Sequence, residues 1–240
     1  MPPSRTALER NIRLFYLLRL LRYLQVWLPV WVVYLTVEQG FSLTQVTTAD
    51  GLFFVAVTLL EVPTGAVADR WGRSVSLGLG ALSLAVALLV FAFTTSYTIL
   101  LASFMVWALA ETLSSGADLA LLYDTLKALG REHEYERHAG RGEAALAVGS
   151  ALGVLLGGPV AALTSTQATI LIGAATTAMT AILAFSLAEA PFQSQAGGIR
   201  EFLPGLRQAF FFVRRHAAVR QMLILGGVLG AGLGAQGYLL

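Results

Sequence analysis

The chain of 240 residues contains no cysteine, which excludes disulfides, thiolate metal ligands and thiol nucleophiles. Charge is scarce: Asp, Glu, Lys and Arg make up 12% of the residues, about half of the roughly 25% usual in soluble domains. There is no G-x-x-x-x-G-K-[ST] phosphate-binding loop, no nucleophile triad and no basic stripe of the kind that tracks nucleic acid. Enzymatic chemistry and nucleic-acid binding are therefore not indicated, and nothing calls for a cofactor. His133 and His138 lie among Glu132, Glu134 and Glu136. The stretch Arg131–Glu143 reads as a solvated, charged connection rather than a metal site.

What is present is apolar. Hydrophobic residues make up 56% of the chain and the mean hydropathy is +0.71. Apolar runs of about 20 residues recur, the length that crosses a hydrocarbon core of about 30 Å. Seven spans are expected, at about Leu14–Thr36, Thr47–Ala68, Val75–Phe93, Thr98–Leu126, Ala144–Leu163, Ala168–Ala188 and Ala217–Leu240. All should be helices, because lipid obliges each segment to satisfy its own backbone hydrogen bonds. The first is too long for a cleavable signal and carries Arg19 and Arg22.

The basic residues are distributed unevenly. The connections 37–46, 94–97 and 164–167 contain no Lys or Arg. The opposite set holds Arg5, Arg10 and Arg13, then Arg70 and Arg73, then Lys127, Arg131, Arg137 and Arg141, then Arg200, Arg207, Arg214 and Arg215. The positive-inside rule places that set, and the N-terminus, in the cytoplasm of a multi-pass protein of the plasma (inner) membrane. Trp27, Trp31 and Tyr34 then lie toward the outer end of the first span, and Trp31 and Tyr34 read as an interfacial belt. Between 191 and 216, Ile199, Phe202, Leu203, Leu206 and Phe210 recur at helical spacing between arginines, which suits a helix on the inner membrane surface. Three regions follow: a six-helix transmembrane domain (1–190), an amphipathic linker (191–216) and a seventh helix (217–240).

Between the second and third spans lies EVPTGAVADRWGRS, Glu61 to Ser74. Gly65, Asp69, Arg70, Gly72 and Arg73 form the pattern G-x-x-x-A-D-R-x-G-R, which resembles the signature loop of the major facilitator superfamily of secondary transporters. The resemblance implies an all-α integral membrane protein, a bundle of six transmembrane helices in a 3+3 inverted repeat, with the linker and the start of a second half after it. Members usually have twelve spans, so the chain reads as half-length. Gly65 and Gly72 should permit close helix approach and a tight turn, and Pro63 should disturb the second helix near its end. Asp69 could cap the following helix, where the dipole favours an anion, and Arg73 could pair with Asp124. In the family such a network is thought to lock and release the cytoplasmic gate. Glu61 is expected to extend it through a gating hydrogen bond, with a substrate role as the alternative.

Within the spans, Glu111 and Asp118 lie seven residues apart in the fourth, on nearly one helix face, with Ser115 between them. Ionisable groups at such depth cost about 2.5–3.5 kcal/mol each on insertion scales and usually face a cavity or a partner. In the antiparallel first span, Arg22 should sit at the depth of Glu111 and Arg19 nearer Asp118, with Gln25 one turn further. Glu111 is then either a protonatable group, its pKa raised by burial and lowered by arginine, or one end of a permanent ion pair. Many drug–proton antiporters carry an arginine in the fourth span, four residues before a glycine; here Thr112 holds that place before Gly116. In the fifth span Gly149, Gly153 and Gly157, followed by Gly158-Pro159, fit close helix packing.

The resemblance implies transport of a small organic solute, with proton-coupled export favoured. The pocket is expected near the midplane, from Arg19, Arg22, Gln25, Glu111, Ser115 and Asp118, with Trp107 as an aromatic wall. Uptake of an anionic metabolite on Arg19 and Arg22 is the alternative. So is a non-transporting protein that acts only as an oligomer. The expected partners are lipid, the solute, protons, and either a second copy or a separate second half.

Overall fold

Pro29 and Gly116 decide where the first and fourth spans stop being helical. In the computed structural model, which describes residues 3–190 with Arg215 and Gln221, α1 spans Arg5–Tyr23. The Ser4 side chain caps it by accepting from Ala7 N at 3.2 Å. A helix continued to Pro29 would drive the proline ring against the Gln25 carbonyl. The chain opens instead at Leu24, and the Gln25 carbonyl accepts from Leu28 N at 3.1 Å. Helix resumes as α2 (Trp31–Val33), which runs into a π-helical turn at Tyr34–Glu38. The continuous first span expected at Leu14–Thr36 is thus a broken one.

α3 (Leu43–Trp71) begins with a reciprocal capping box between Ser42 and Gln45. It runs through Pro63, where Thr64 Oγ1 donates to the Leu60 carbonyl at 2.7 Å. α4 (Arg73–Phe93) follows after a single residue, Gly72, at φ 105°. That left-handed φ is open to glycine and strained for other residues. α5 (Tyr97–Ser114) and α6 (Ala117–Ala128) replace the single fourth helix expected at Thr98–Leu126. The break between them passes through Gly116 at φ 67°. After a 3-10 turn at Glu132–Glu134 come α7 (Tyr135–Leu163) and α8 (Thr166–Phe185). The stretch expected as a connection, Arg131–Glu143, is therefore mostly the first turns of α7.

Among the described residues, five stretches are long and apolar enough to cross a membrane: Leu43–Glu61, Arg73–Phe93, Tyr97–Ala128, Glu132–Leu163 and Thr166–Phe185. The first span is not one of them, because its helix carries arginines and stops at Tyr23. The linker expected at 191–216 and the seventh span expected at 217–240 lie outside the described residues.

Packing follows a symmetric scheme. α4 lies against α8 and α5, α3 against α5, and α1 against α7. When the first three spans are exchanged with the last three, the pairs α1–α7 and α3–α5 change places and α4–α8 returns to itself. Buried apolar contacts of Leu18, Leu77, Ala117, Leu121, Ala184 and Leu187 join α1, α4, α6 and α8 at the centre. α3 and α7 instead turn large apolar side chains outward, among them Leu59, Val154 and Leu155. An outward apolar face is costly in water and neutral against lipid tails.

Candidate functional site

The two helix breaks face one open cavity of about 680 Å³. Around it the charged side chains of the first and fourth spans meet in two pairs. Arg22 Nη2 donates to Glu111 Oε2 at 3.1 Å, and its Nη1 donates to the Ser114 carbonyl at 3.2 Å. That carbonyl belongs to the last turn of α5, where the helix dipole favours a cation. One step deeper, Arg19 Nη1 donates to Asp118 Oδ2 at 2.6 Å, and its Nη2 donates to Glu143 of α7. Asp118 lies in the first turn of α6 and also accepts from Leu119 N at 2.8 Å. Because of the break, Glu111 and Asp118 sit on separate helices, not on one continuous face.

The pairs differ in their contact with the cavity. The Arg19 and Asp118 side chains are each 5% exposed. Removing one partner of so buried a pair leaves an uncompensated charge. Glu111 is 33% exposed and also accepts from the Trp107 indole at 3.3 Å. Gln25 lines the cavity and donates to the Arg22 carbonyl at 3.3 Å. Ser115, within the break, donates to Glu61 Oε1 at 2.7 Å and so links α3 to the fourth span.

At the α3–α4 turn, Arg73 reaches Asp69 at 2.8 Å and Asp124 at 4.0 Å. Asp69 does not cap α4, because it lies inside α3. The anion at that N-terminus is Glu189, which follows α8: it accepts from Arg73 N at 2.6 Å and Ser74 N at 3.0 Å, and also from Ser74 Oγ. A Cβ on Gly72 would meet the Glu189 carboxyl carbon at 2.8 Å, so the glycine makes room for this cap as well as the turn. The same segment is tied to α1. Asn11 Nδ2 donates to the Ala188 carbonyl at 2.7 Å, Asn11 Oδ1 accepts from Ala188 N at 3.0 Å, and Arg10 donates to the Ser186 carbonyl at 2.8 Å. Gly65, expected at a close helix approach, faces open space, and Arg70 is exposed.

The sequence matches the family model of the Major Facilitator Superfamily over residues 15–240. The chain belongs to this superfamily. It is also 28% identical over 89 residues to an uncharacterized MFS-type transporter, YxaM, of Bacillus subtilis (strain 168). That alignment spans 37% of this chain and 22% of the relative.

Other residues of this facilitator domain sit differently from expectation. Trp27, Trp31 and Tyr34 do not form an exposed belt; all three are buried. They pack with Phe91, Phe104 and Trp107, with Trp27 and Trp107 ring centroids 5.1 Å apart. The break between α1 and α2 turns these rings inward. Gly149, Gly153 and Gly157 line the side of α7 that touches Leu20, Gln25 and Val26, where a Cβ at Gly153 would come within 2.9 Å of Gln25 N. Pro159, in the last part of α7, is exposed. His138 is buried, contrary to the solvated reading, and shares hydrogen bonds with Tyr16 and Glu134. His133 is exposed, and among the described residues no group of three metal-ligating side chains occurs. Sequence reasoning missed Glu143 and Glu189. The available signals were a lone acid at the start of the fifth apolar run and another just before Pro191.

Proposed function

We propose that the chain forms the solute pathway of a secondary active transporter that moves a small organic solute by alternating access, exporting it in exchange for protons. The observation that supports this reading is the Arg22–Glu111 pair, set at the breaks of two corresponding spans on an open cavity. Interrupted helices at equivalent positions of inverted repeats mark binding sites in transporters, because helix ends offer oriented charge there. The asymmetric uptake of an anionic metabolite fits less well, since both guanidiniums are already engaged.

Glu111 is the proton carrier in this scheme, and Asp118 is a pin. Asp118 is sealed between Arg19 and the α6 N-terminus, whereas Glu111 meets the cavity. A proton on Glu111 cancels its attraction for Arg22 and leaves the guanidinium on the Ser114 carbonyl alone. The contact between first and fourth spans then loosens, and the two can tilt apart. Arg73, Asp69, Asp124 and the Glu189 cap hold the basic end shut, and Glu61 carries the α3 side of that gate to Ser115. The excess of Lys and Arg at this end supports a cytoplasmic location for it.

The test is solute flux driven by an imposed pH gradient, with the full chain reconstituted in proteoliposomes. Glu111→Gln is expected to abolish the dependence on the gradient while solute exchange at equal pH persists. Unchanged proton-driven flux in this variant refutes the carrier role.

A further inference from the structure

The cavity wall carries more information than the charge pairs alone. Its carboxylates are Glu61, Glu111, Asp118 and Glu143, and its guanidiniums are Arg19 and Arg22, a formal excess of two negative charges. The positive groups are spent. Arg19 places both terminal nitrogens on carboxylates, and its remaining Nε is sealed from solvent. Arg22, 14% exposed, holds Glu111 and the Ser114 carbonyl. An anionic solute entering this cavity finds no uncommitted cation among the described residues.

Of the four carboxylates, three are paired with these arginines and one is not. Glu61 is exposed to the cavity, and its hydrogen bond comes from Ser115, a neutral hydroxyl. No basic side chain among the described residues pairs with it. Beside it the same wall is aromatic. Phe53 lies 4.6 Å from Trp107 and 5.2 Å from Phe54, centroid to centroid, and all three line the cavity. Aromatic faces attract cations, tryptophan most strongly. They also offer apolar area to a flat or greasy body. A carboxylate without a counter-ion beside a continuous aromatic wall suits one class of ligand.

We infer that this cavity takes an organic cation with an apolar or aromatic body, with Glu61 as its counter-charge and Phe53, Phe54 and Trp107 as its seat. The inference rests on the transport reading above and names its solute class. It also gives Glu61 a binding role in place of a purely gating one. The Ser115 hydroxyl then holds the Glu61 carboxylate in position, so that solute binding bears directly on the break in the fourth span.

The experiment is equilibrium dialysis of the full chain in lipid nanodiscs, with empty nanodiscs subtracted. The probes are radiolabelled tetraphenylphosphonium and tetraphenylborate, which match in size and shape and differ in sign. The expected result is saturable phosphonium binding and no saturable borate site. Glu61→Gln should weaken phosphonium binding about tenfold, the loss of one close charge contact, and Glu61→Asp should restore most of it. Trp107→Leu should weaken it about threefold through the lost cation–π contact. Saturable borate binding overturns the inference. So does phosphonium affinity that neither Glu61→Gln nor Trp107→Leu moves. Flux assays on the same chain keep the two readings apart: phosphonium binding as expected without any transport refutes the transporter while this assignment stands. Transport of other solutes together with saturable borate binding refutes this assignment alone.

Discussion

Removing the Glu189 carboxylate should destabilise the domain more than removing the acid inside the signature loop. Glu189 accepts from two backbone N–H groups at the start of α4 and from the Ser74 hydroxyl. Ser74 is buried, so Glu189→Ala leaves its N–H without water to replace the carboxylate. A lost N-cap costs about 0.5–2 kcal/mol, and hydrogen bonds to a charged group contribute about 1.5–3 kcal/mol each without adding fully. Together they predict a loss of about 2–4 kcal/mol for Glu189→Ala. Glu189→Gln keeps one acceptor oxygen and should lose roughly half as much. Asp69→Ala removes a pair within one turn whose acid is 43% exposed, so the loss should be below about 1 kcal/mol. Unfolding of each variant in lipid–detergent micelles by graded sodium dodecyl sulfate, followed by tryptophan fluorescence, gives the comparison. Equal losses for Glu189→Ala and Asp69→Ala, or none for Glu189→Ala, refute the assignment of the cap.

Three further outcomes are expected in the same unfolding assay. Gly149→Ala places a Cβ against the Leu20 carbonyl; backbone cannot yield as a side chain can, so α1 and α7 should part at a cost of about 1–3 kcal/mol. Asp118→Asn should cost about 3–5 kcal/mol by stranding Arg19, and Arg19→Met combined with Asp118→Leu should recover most of that. Asn11→Ala should cost about 1–3 kcal/mol, because the half-buried Ala188 backbone loses both partners.

The helical class, the family and most span positions were legible because they depend on composition and on the length of apolar runs. The pairing of Arg22 with Glu111 and Arg19 with Asp118 was legible too, since antiparallel spans fix depth. The breaks were not. Pro29 and Gly116 were visible as residues, but whether a proline kinks a helix or ends it depends on what packs alongside, here α7 against Gln25 and Val26. The inward aromatic cluster followed from the same break and was hidden with it. Glu189 was missed because its partner, the α4 N-terminus, lies more than a hundred residues away. His138 was misread because a charged stretch can be helical and half-buried when a tyrosine from α1 covers it.

The central claim is that solute passes through the cavity between the two broken spans. A chain without cysteine permits the direct measurement: single cysteines at Gln25 and Ser115, on the cavity wall, and at Val154 and Leu155, on the outward face of α7, treated with a charged, membrane-impermeant thiol reagent. Labelling at 25 and 115 is expected to be rapid, slowed by solute, and to stop flux, while 154 and 155 stay unlabelled and transport unchanged. Flux that survives complete labelling at both cavity positions would contradict the account.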